Sequence, residues 1–331
     1  MLGAGGYVMA RNRRTAALAV AALVAAGLGA VGYRALAQPE PEPGPADGPV
    51  SAGATSSPRD TESSGYDTSV FPGPDNTGVP PGTELEPYAG PCTLIETVVL
   101  SGVDATGVCP AIVVQAPGVR IEGSRVPRVE STATQVDPTF SVEVVDSEVV
   151  AGGWIGGAVW GSNLTVRRVE VTGGQHSVHC GTNCVVEDSW LHDQFNPDGE
   201  AAHNNAFITN GGTDMVVRHN TLHCTPTLNA TGGGCTADLS LFGDFEPVGD
   251  VLVEDNLFKA NGDSISFCAY GGDAPGKPFP EATGIVFRGN VFERGDNDMC
   301  GVYGPVTSFN AASAGNAWQD NTWDDGTPLT P

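Results

Sequence analysis

The stretch MVVRHNTL (215–222) decides the fold, because its arrangement returns as VLVEDNLF (251–258) and IVFRGNVF (285–292). Each copy follows the pattern apolar-x-apolar-x-x-Asn-x-apolar, in which every second residue before the Asn's two-residue spacer is apolar. Alternation with a period of two is typical of β-strands. Its return in a constant arrangement indicates a repeat architecture, in which each repeat packs on the next.

The repeat extends to eight segments when the chain is aligned on this Asn, which we call the anchor position. The anchors are Ser124, Ser147, Val169, Ser189, Asn220, Asn256, Asn290 and Asn321. Successive anchors lie 20 to 36 residues apart. The short spacings predict single coils of a solenoid, and the long ones predict coils with an inserted loop.

Three columns of the alignment test this interpretation. The residue three before the anchor is always apolar, from Ile121 to Trp318, and so is the residue two after it, from Val126 to Trp323. The position two before the anchor alternates in charge over Arg167, Glu187, Arg218, Glu254 and Arg288. Such alternation is favourable between outward side chains on strands about 4.8 Å apart. We therefore predict an all-β parallel β-helix of eight coils, with a ninth around CTLIETVVL (92–100).

Two segments precede this domain, which we place at 71–331. Residues 1–37 carry Arg11, Arg13 and Arg14, an apolar run and a small-residue ALA site, the layout of a signal peptide. An uncleaved anchor is the alternative; after cleavage we expect no stable membrane insertion. Residues 38–70 are rich in Pro, Ser and Gly, which predicts a disordered linker.

The net charge of the chain indicates which classes of partner it can bind. The chain has 15 Lys and Arg against 39 Asp and Glu, a net charge of −24. Such a surface argues against nucleic-acid binding and favours solubility outside the cell. We expect a secreted monomer, with retention at the cell envelope as a further option.

Eight cysteines in an exported chain predict disulfides. Eight allow 105 pairings, and we favour nearest neighbours. These pairs are Cys92–Cys109, Cys180–Cys184, Cys224–Cys235 and Cys268–Cys300. A zinc site is the alternative, since all six His lie between 176 and 223.

The repeats, the Asn column and the entry FPGPDNTGVPPGT (71–83) resemble the secreted right-handed parallel β-helix proteins of the pectate-lyase-like superfamily, in particular an exported actinobacterial group. The resemblance covers about 71–331 and implies a right-handed β-helix. Because this superfamily contains lyases, hydrolases, epimerases and non-catalytic binders, it implies no single activity. It also implies a site on the outer face, here between about 190 and 305.

Members of the resembling group carry His-x-Asp-Gly where this chain has His203, Asn205 and Ala206. An Asn positions a hydroxyl but does not accept a proton, so this departure from the motif argues against acid–base chemistry at this point of the chain. Aligning Asn205, Ala237 and Asp263 as one column places Asp238 beside it. We therefore expect His203, Asn205, Asp238, Asp263 and Asp298 on one face, as a site or, alternatively, as turn and cap residues.

This cluster is compatible with three chemistries. The first is β-elimination on a uronate, with Ca²⁺ held by Asp263 and Asp298. The candidate catalytic groups for this reaction are His203, Asp238 and Asp263. The candidate bases are Arg218, Lys259 and Arg294. Hydrolysis needs two carboxyl groups about 5 Å or about 6.5–9.5 Å apart, for which Asp238 and Asp263 are the candidates. Binding alone needs polar groups and exposed aromatics, for which the candidates are Trp154, Trp160, Tyr270 and Tyr303.

A second column, three residues after the anchor, contains His192, His223, Lys259 and Glu293. We predict that its basic members bind substrate, with a solvent-facing stack as the alternative. His176 and His179 are placed near one end of this column. Taken together, the sequence predicts a carbohydrate-active protein that acts on extracellular polysaccharide. We favour lyase activity and place hydrolase activity second. The alternative is a non-catalytic glycan-binding or cell-surface β-helix.

Overall fold

The computed structural model of the chain describes residues 70–132, 137, 139–262 and 264–331. The predicted signal peptide (1–37) and all of the predicted linker (38–70) except Val70 lie outside these residues. In the described ranges, no helix has the length and apolarity that crossing a membrane requires.

The described chain forms three parallel sheets. The first contains β1 (Glu86–Pro87), β4 (Val103–Asp104), β7 (Arg125–Val126), β10 (Glu148–Val150), β13 (Glu170–Thr172), β16 (Trp190–Leu191), β19 (Thr221–Leu222), β22 (Leu257–Phe258), β25 (Val291–Phe292) and β28 (Thr322–Trp323). The second contains β2 (Thr93–Leu94), β5 (Ile112–Val114), β8 (Val129–Ser131), β11 (Gly157–Gly161), β14 (His176–Cys180), β17 (His203–Thr209), β20 (Gly234–Leu241), β23 (Ala269–Gly271) and β26 (Val306–Thr307). The third contains β3 (Val99–Ser101), β6 (Val119–Glu122), β9 (Val142–Val145), β12 (Leu164–Arg167), β15 (Cys184–Glu187), β18 (Met215–Arg218), β21 (Val248–Glu254), β24 (Ala282–Arg288) and β27 (Ala317–Gln319).

Within each sheet, every neighbour is three strands away in sequence, so each turn of the chain adds one strand to each sheet. Across the described residues, β1 is followed by nine such three-strand coils. The chain is therefore a right-handed parallel β-helix, and the predicted fold class and coil number are confirmed.

The bend between the third and first sheets explains why the anchor repeats. The residue before the anchor has a left-handed backbone, with φ of 48° at Asp146, 52° at Asp188 and 53° at Asp255. Asp, Asn and Gly tolerate this region best. One left-handed residue bends the chain from the third sheet into the first, and the anchor side chain that follows it is buried in the solenoid.

The four anchor asparagines form a buried ladder. The Oδ1 atom of Asn256 accepts the backbone N–H of Asn220 (3.0 Å) and its Nδ2–H (3.0 Å). Asn290 does the same for Asn256, and Asn321 for Asn290. Each side chain also donates to a carbonyl of the preceding coil, as Asn256 does to Val217 (2.8 Å). The ladder therefore satisfies polar groups that the bends would otherwise leave unpaired in the core.

The apolar columns point inward as predicted. Phe258 and Phe292 are fully buried and stack with ring centroids 4.3 Å apart. Outside, strand register pairs Arg167 with Glu187 and Glu187 with Arg218, which confirms the charge ladder. Each exposed pair of this kind contributes only about 0.2–1 kcal/mol, so the ladder reports register more than stability.

All eight cysteines are in disulfides, with the nearest-neighbour pairing that was predicted. Since each sulfur is bonded to another sulfur, the alternative of zinc held by thiolates is excluded. Four disulfides indicate an oxidising, extracellular environment.

A strap of residues 70–78 crosses the outer face of the first sheet. Phe71 is buried against Leu257 and Val291, and the N–H of Gly78 donates to the carbonyl of Arg168 (3.1 Å). The strap therefore connects coils that are far apart along the solenoid before the chain enters β1.

Candidate functional site

A groove runs over the outer face of the second sheet. It consists of two cavities of about 400 and 350 Å³ that share His203 and Thr236. The larger cavity extends to Tyr270 and Tyr303, and the smaller one extends to Lys277. The groove lies between residues 175 and 303, so its position agrees with the region expected from the long coils.

Thr236 lies at an irregularity in the pairing of β17 with β20. Asn204 pairs with Cys235 but Asn205 pairs with Ala237, so Thr236 is an extra residue on β20. Such bulges redirect side chains and are common beside active sites. Here the Thr236 Oγ1 atom lies 3.2 Å from Nδ1 of His203.

His203 occupies the junction of the two cavities and is exposed. Its carbonyl accepts Nε2–H of Gln175 (2.9 Å), which fixes the backbone at this point. The Nδ1 atom contacts the Thr236 hydroxyl, and either of these groups can be the donor, depending on the tautomer of the ring. The catalytic role of His203 stays a prediction.

Asn205 is buried in a short hydrogen-bond chain beside His203. Its Oδ1 atom accepts the hydroxyl of Ser240 (2.5 Å), and its Nδ2–H donates to Nδ1 of His176 (3.2 Å). Asn205 lines the groove but is only 1% exposed. Its main contacts therefore orient His176, and its amide contributes little surface for a ligand.

His176 and His179 belong to the second sheet and not to the end of the His192 column, where the sequence alignment placed them. Burial lowers the pKa of His176 to about 3, assisted by the neighbouring His179 and His203. Burial also lowers the pKa of His179 to about 4. Both rings are therefore neutral at physiological pH, and the amide of Asn205 suits a neutral partner at His176.

These two pKa values predict acid-sensitive stability. Between about pH 3 and 6.5, the unfolded chain binds protons at these His that the folded chain does not. The free energy of unfolding should therefore fall as the pH drops below about 6.5, by up to about 1.4 kcal/mol per pH unit for each ring. His176→Gln, measured by urea unfolding from pH 8 to pH 4, should lose less stability over this range than the native chain.

His219→Gln serves as the control, because His219 is half-buried at a bend outside the groove, where it pairs with Asp188. Carboxylates that titrate in the same range are common to all three proteins, so the difference between variants isolates His176. Parallel pH profiles for the native chain and His176→Gln would contradict the assignment of a depressed pKa to His176.

Aromatic side chains and one ion pair line the groove around His203. Phe242 and Tyr270 meet edge to face with centroids 5.1 Å apart, and Tyr303 is 71% exposed. Lys277 lies over the ring of Phe242 at 4.3 Å and pairs with Asp244 at 2.8 Å. Tyr270 and Tyr303, both predicted to bind substrate, thus share the groove with His203.

Asp238 does not line the groove. The side chain is fully buried on the inner side of β20, where Oδ1 accepts the N–H of Cys224 (2.7 Å) and Oδ2 has no protein partner. Burial raises the pKa of this carboxyl well above its ordinary value. The predicted catalytic role of Asp238 is therefore corrected, because a fully buried carboxyl inside the solenoid does not reach a ligand outside it.

The predicted Ca²⁺ ligands are not brought together in the described chain. Asp263 lies outside the described residues, and Asp298 is exposed on a turn with φ of 59°. The predicted column is correct from Asn205 to Ala237, which are strand partners. In the next coil, the residue beside this column is Ser266, and its N–H donates to the carbonyl of Thr236. In the described ranges, the one cluster of three His, Cys, Asp or Glu is Asp238, Cys268 and Cys300, and its cysteines are bonded to each other. Because Asp263 lies outside the described residues, Ca²⁺ binding by Asp263 and Asp298 stays a prediction.

The predicted basic groups lie on other faces. Arg218 belongs to the third sheet and pairs with Glu187 at 2.6 Å. Arg294 follows the first sheet and pairs with Asp325 at 3.0 Å. Neither residue lines the groove, so neither is the base of a reaction at His203.

The column of His192, His223 and Lys259 exists as predicted, but it follows strands of the first sheet. His192 contacts Glu170 at 3.1 Å, and Lys259 pairs with Glu293. His223 and Lys259 line a separate cavity of about 330 Å³ beneath the strap. These predicted substrate-binding residues therefore do not contribute to the groove.

Sequence reasoning missed Thr236, Ser240, Phe242 and Lys277 as members of the site. A bulge has no signature in a single sequence, so nothing indicated that Thr236 faces His203. Lys277 and Phe242 lie outside the repeat columns, and only the three-dimensional path of the chain brings them to the groove.

No protein-family model matches the chain, and it matches neither a curated protein nor a solved structure. The function is therefore argued from the groove itself.

Proposed function

We propose that the protein is a secreted, carbohydrate-active member of the pectate-lyase-like superfamily that cleaves extracellular polysaccharide by β-elimination in the groove. The observation that carries this proposal is the position of His203, at the junction of two cavities flanked by Phe242, Tyr270 and Tyr303. Open clefts with aromatic walls and a few polar groups suit sugar rings, which have apolar faces and polar rims.

A uronate is the substrate class that fits the charges. Among the described residues that line the two cavities, Lys277 is the one side chain with a permanent positive charge, and Asp244 is the one carboxylate. Lys277 is positioned to meet a sugar carboxylate, with Asp244 and the Phe242 ring fixing its ammonium group. Neutralising that carboxylate makes the adjacent C5–H bond easier to deprotonate.

The elimination step then uses two groups of the groove. Nε2 of His203 takes the proton from C5, the released electron pair forms the C4=C5 double bond, and the C4–O bond to the next sugar breaks. The leaving oxygen takes a proton from the Tyr270 hydroxyl. Burial raises the pKa of Tyr270, so its phenol is protonated and available as a donor at neutral pH.

Hydrolysis fits less well. Two carboxyl groups have to flank the scissile bond, about 5 Å or about 6.5–9.5 Å apart. In the described part of the groove Asp244 is the one carboxylate, and it is already paired with Lys277. Asp238, the predicted partner, is enclosed in the core.

The direct test is to incubate the disulfide-bonded chain with polygalacturonate, alginate and other polyuronates and to follow the ultraviolet absorbance of the C4=C5 bond. We expect absorbance to rise with at least one of them. Parallel reactions with added Ca²⁺ and with a chelator test the predicted cofactor, and we expect the same rate in both because no described cluster of ligands fits the ion.

The alternative function is binding without cleavage. It predicts retention of the chain on an immobilised polyuronate with no new absorbance under any of these conditions. That result would remove the lyase proposal and leave a glycan-binding protein. The binding alternative is motivated by Asn205, which stands where the resembling group has an Asp. In this chain the Asn205 amide donates to the neutral ring of His176.

A further inference from the structure

The cavity beneath the strap lies on the first sheet, and the proposed reaction does not use it. We call it the strap cavity. Its volume is about 330 Å³, at the lower end of the range of about 300–1,000 Å³ that sites for small molecules occupy. Strap residues 71–76 form one side of it. The other side comes from three adjacent coils and consists of Trp190, Thr221, His223, Leu257 and Lys259. A space of this size suits one small ring more than a chain.

The side chain of Thr221 indicates that the strap cavity binds a ligand. Thr221 lines the cavity and is only 5% exposed, and its Oγ1 atom has no hydrogen-bond partner within the part of the chain that the structure describes. Nearly all buried hydroxyl groups in proteins are paired, because an unpaired one is costly. A ligand that carries hydroxyl groups supplies the missing partner.

The strap over this cavity is held by its own hydrogen bonds, so the space is formed before a ligand arrives. Oδ1 of Asn76 accepts the N–H of Gly73 (2.6 Å), and the Thr77 hydroxyl donates to the carbonyl of Gly73 (2.7 Å). The preceding end is fixed by Phe71, which packs on Leu257. A preformed site avoids most of the cost of ordering the chain on binding.

Trp190 supplies a fixed aromatic surface to the strap cavity. Its ring stacks on that of His192 with centroids 3.5 Å apart, and His192 in turn contacts Glu170 at 3.1 Å. An aromatic ring held in this way packs well against the apolar face of a sugar ring. Polar atoms of Thr221 and His223 border the same space and are available to sugar hydroxyls.

The charges around the strap cavity favour a neutral ligand. Among the described residues that line it, Lys259 is the one side chain with a permanent positive charge, and Asp75 is the one carboxylate. Lys259 is also paired with Glu293. Burial lowers the pKa of His223, and the charge of Lys259 acts in the same direction, so this ring is neutral at physiological pH. A neutral His both donates to and accepts from hydroxyl groups.

We infer that the strap cavity is a second sugar-binding site, which takes one neutral hexose unit. The sugar ring packs against Trp190, one sugar hydroxyl bonds to Oγ1 of Thr221, and further hydroxyls contact His223 and Lys259. The strap cavity belongs to the first sheet and the groove to the second. The chain therefore holds a neutral sugar at a site separate from the groove, and this inference does not depend on the elimination reaction.

The test titrates the methyl glycosides of galactose, glucose and mannose into the disulfide-bonded chain and follows binding by saturation-transfer NMR. We expect at least one of them to bind with a Kd of about 1 mM, as suits a ligand of this size. Thr221→Val keeps the shape of the side chain and removes its hydroxyl. It should weaken binding about fivefold to tenfold, the effect of one lost hydrogen bond. An unchanged or higher melting temperature shows that this variant folds.

Thr322→Val is the matched control, because Thr322 lies in the same column of the first sheet, three coils from Thr221, and does not line the strap cavity. It should leave the affinity unchanged. Absence of binding at about ten times the expected Kd would mean that the cavity takes up water only, and would overturn the inference. Equal affinity of the native chain and Thr221→Val, or an equal loss with Thr322→Val, would also overturn it.

A groove variant separates this inference from the proposed function. Tyr303→Ala should leave the binding of the neutral glycoside unchanged, and its loss in this variant would place the sugar in the groove and overturn the inference. Thr221→Val should cleave polyuronate at the native rate, because Thr221 lies outside the groove. Failure of either proposal therefore leaves the other one standing.

Discussion

Replacement of Asn256 by Ala should lower the free energy of unfolding by about 3–5 kcal/mol, the largest stability effect that we expect from a single polar residue in this chain. Asn256 is fully buried, and its Oδ1 atom accepts two hydrogen bonds from Asn220. Ala leaves both of these donors without a partner in a site that water does not enter. Each unsatisfied buried group costs about 1–3 kcal/mol.

Urea unfolding followed by circular dichroism measures this loss, and the chain supplies its own matched control. Ser takes the anchor position in earlier coils, where the Ser189 hydroxyl accepts the N–H of Val169 (3.1 Å) and donates to the carbonyl of Glu187 (2.8 Å). Asn256→Ser should therefore retain part of the stability that Asn256→Ala loses. If the two variants are equally stable, the ladder is not the source of the effect.

Replacement of His203 by Ala should lower kcat for elimination by about 10²–10⁴-fold, the usual contribution of a positioned general base. The KM for polyuronate should change much less, because Lys277 and the aromatic walls are untouched. Thr236→Val removes the hydroxyl that contacts Nδ1 of His203 and keeps a similar shape. It should lower kcat by a smaller factor and shift the acidic limb of the pH–rate profile, where the general base becomes protonated, which a purely structural role would not do.

His219→Ala is the control for His203→Ala, since it removes a half-buried His at a bend outside the groove. It should leave kcat unchanged. Full activity of His203→Ala, with correct folding shown by an unchanged melting temperature, would exclude His203 as the base and direct attention to other groups in the groove.

The sequence was sufficient for the scaffold because the scaffold is locally encoded. The inward columns, the left-handed residue before each anchor and the charge ladder all recur within one eight-residue pattern, as in Met215–Leu222. The nearest-neighbour disulfides follow from the same stacking, since cysteines close in sequence fall within one coil or in adjacent coils.

The site was predicted only in part, because it lies on the second sheet, which has no anchor residue to set its register. His203, predicted as catalytic, and Tyr270 and Tyr303, predicted to bind substrate, all line the groove. Asp238 was expected on the same face as His203, but strand β20 turns its side chain toward Cys224 and the interior. His176 was assigned to the wrong column for a similar reason, since its strand begins after an irregular Gly-rich bend.

The strap changes how the solenoid is expected to unfold. In a solenoid each coil touches only its neighbours, so the last coils of such arrays open independently of the first. Here Phe71 inserts between Leu257 and Val291, while Gly78 is hydrogen-bonded to the coil of Arg168. Opening the coils around Val291 therefore also releases an N-terminal segment that is held several coils away. The strap therefore links a coil in the middle of the solenoid to coils near its C-terminal end, and we expect these coils to unfold together.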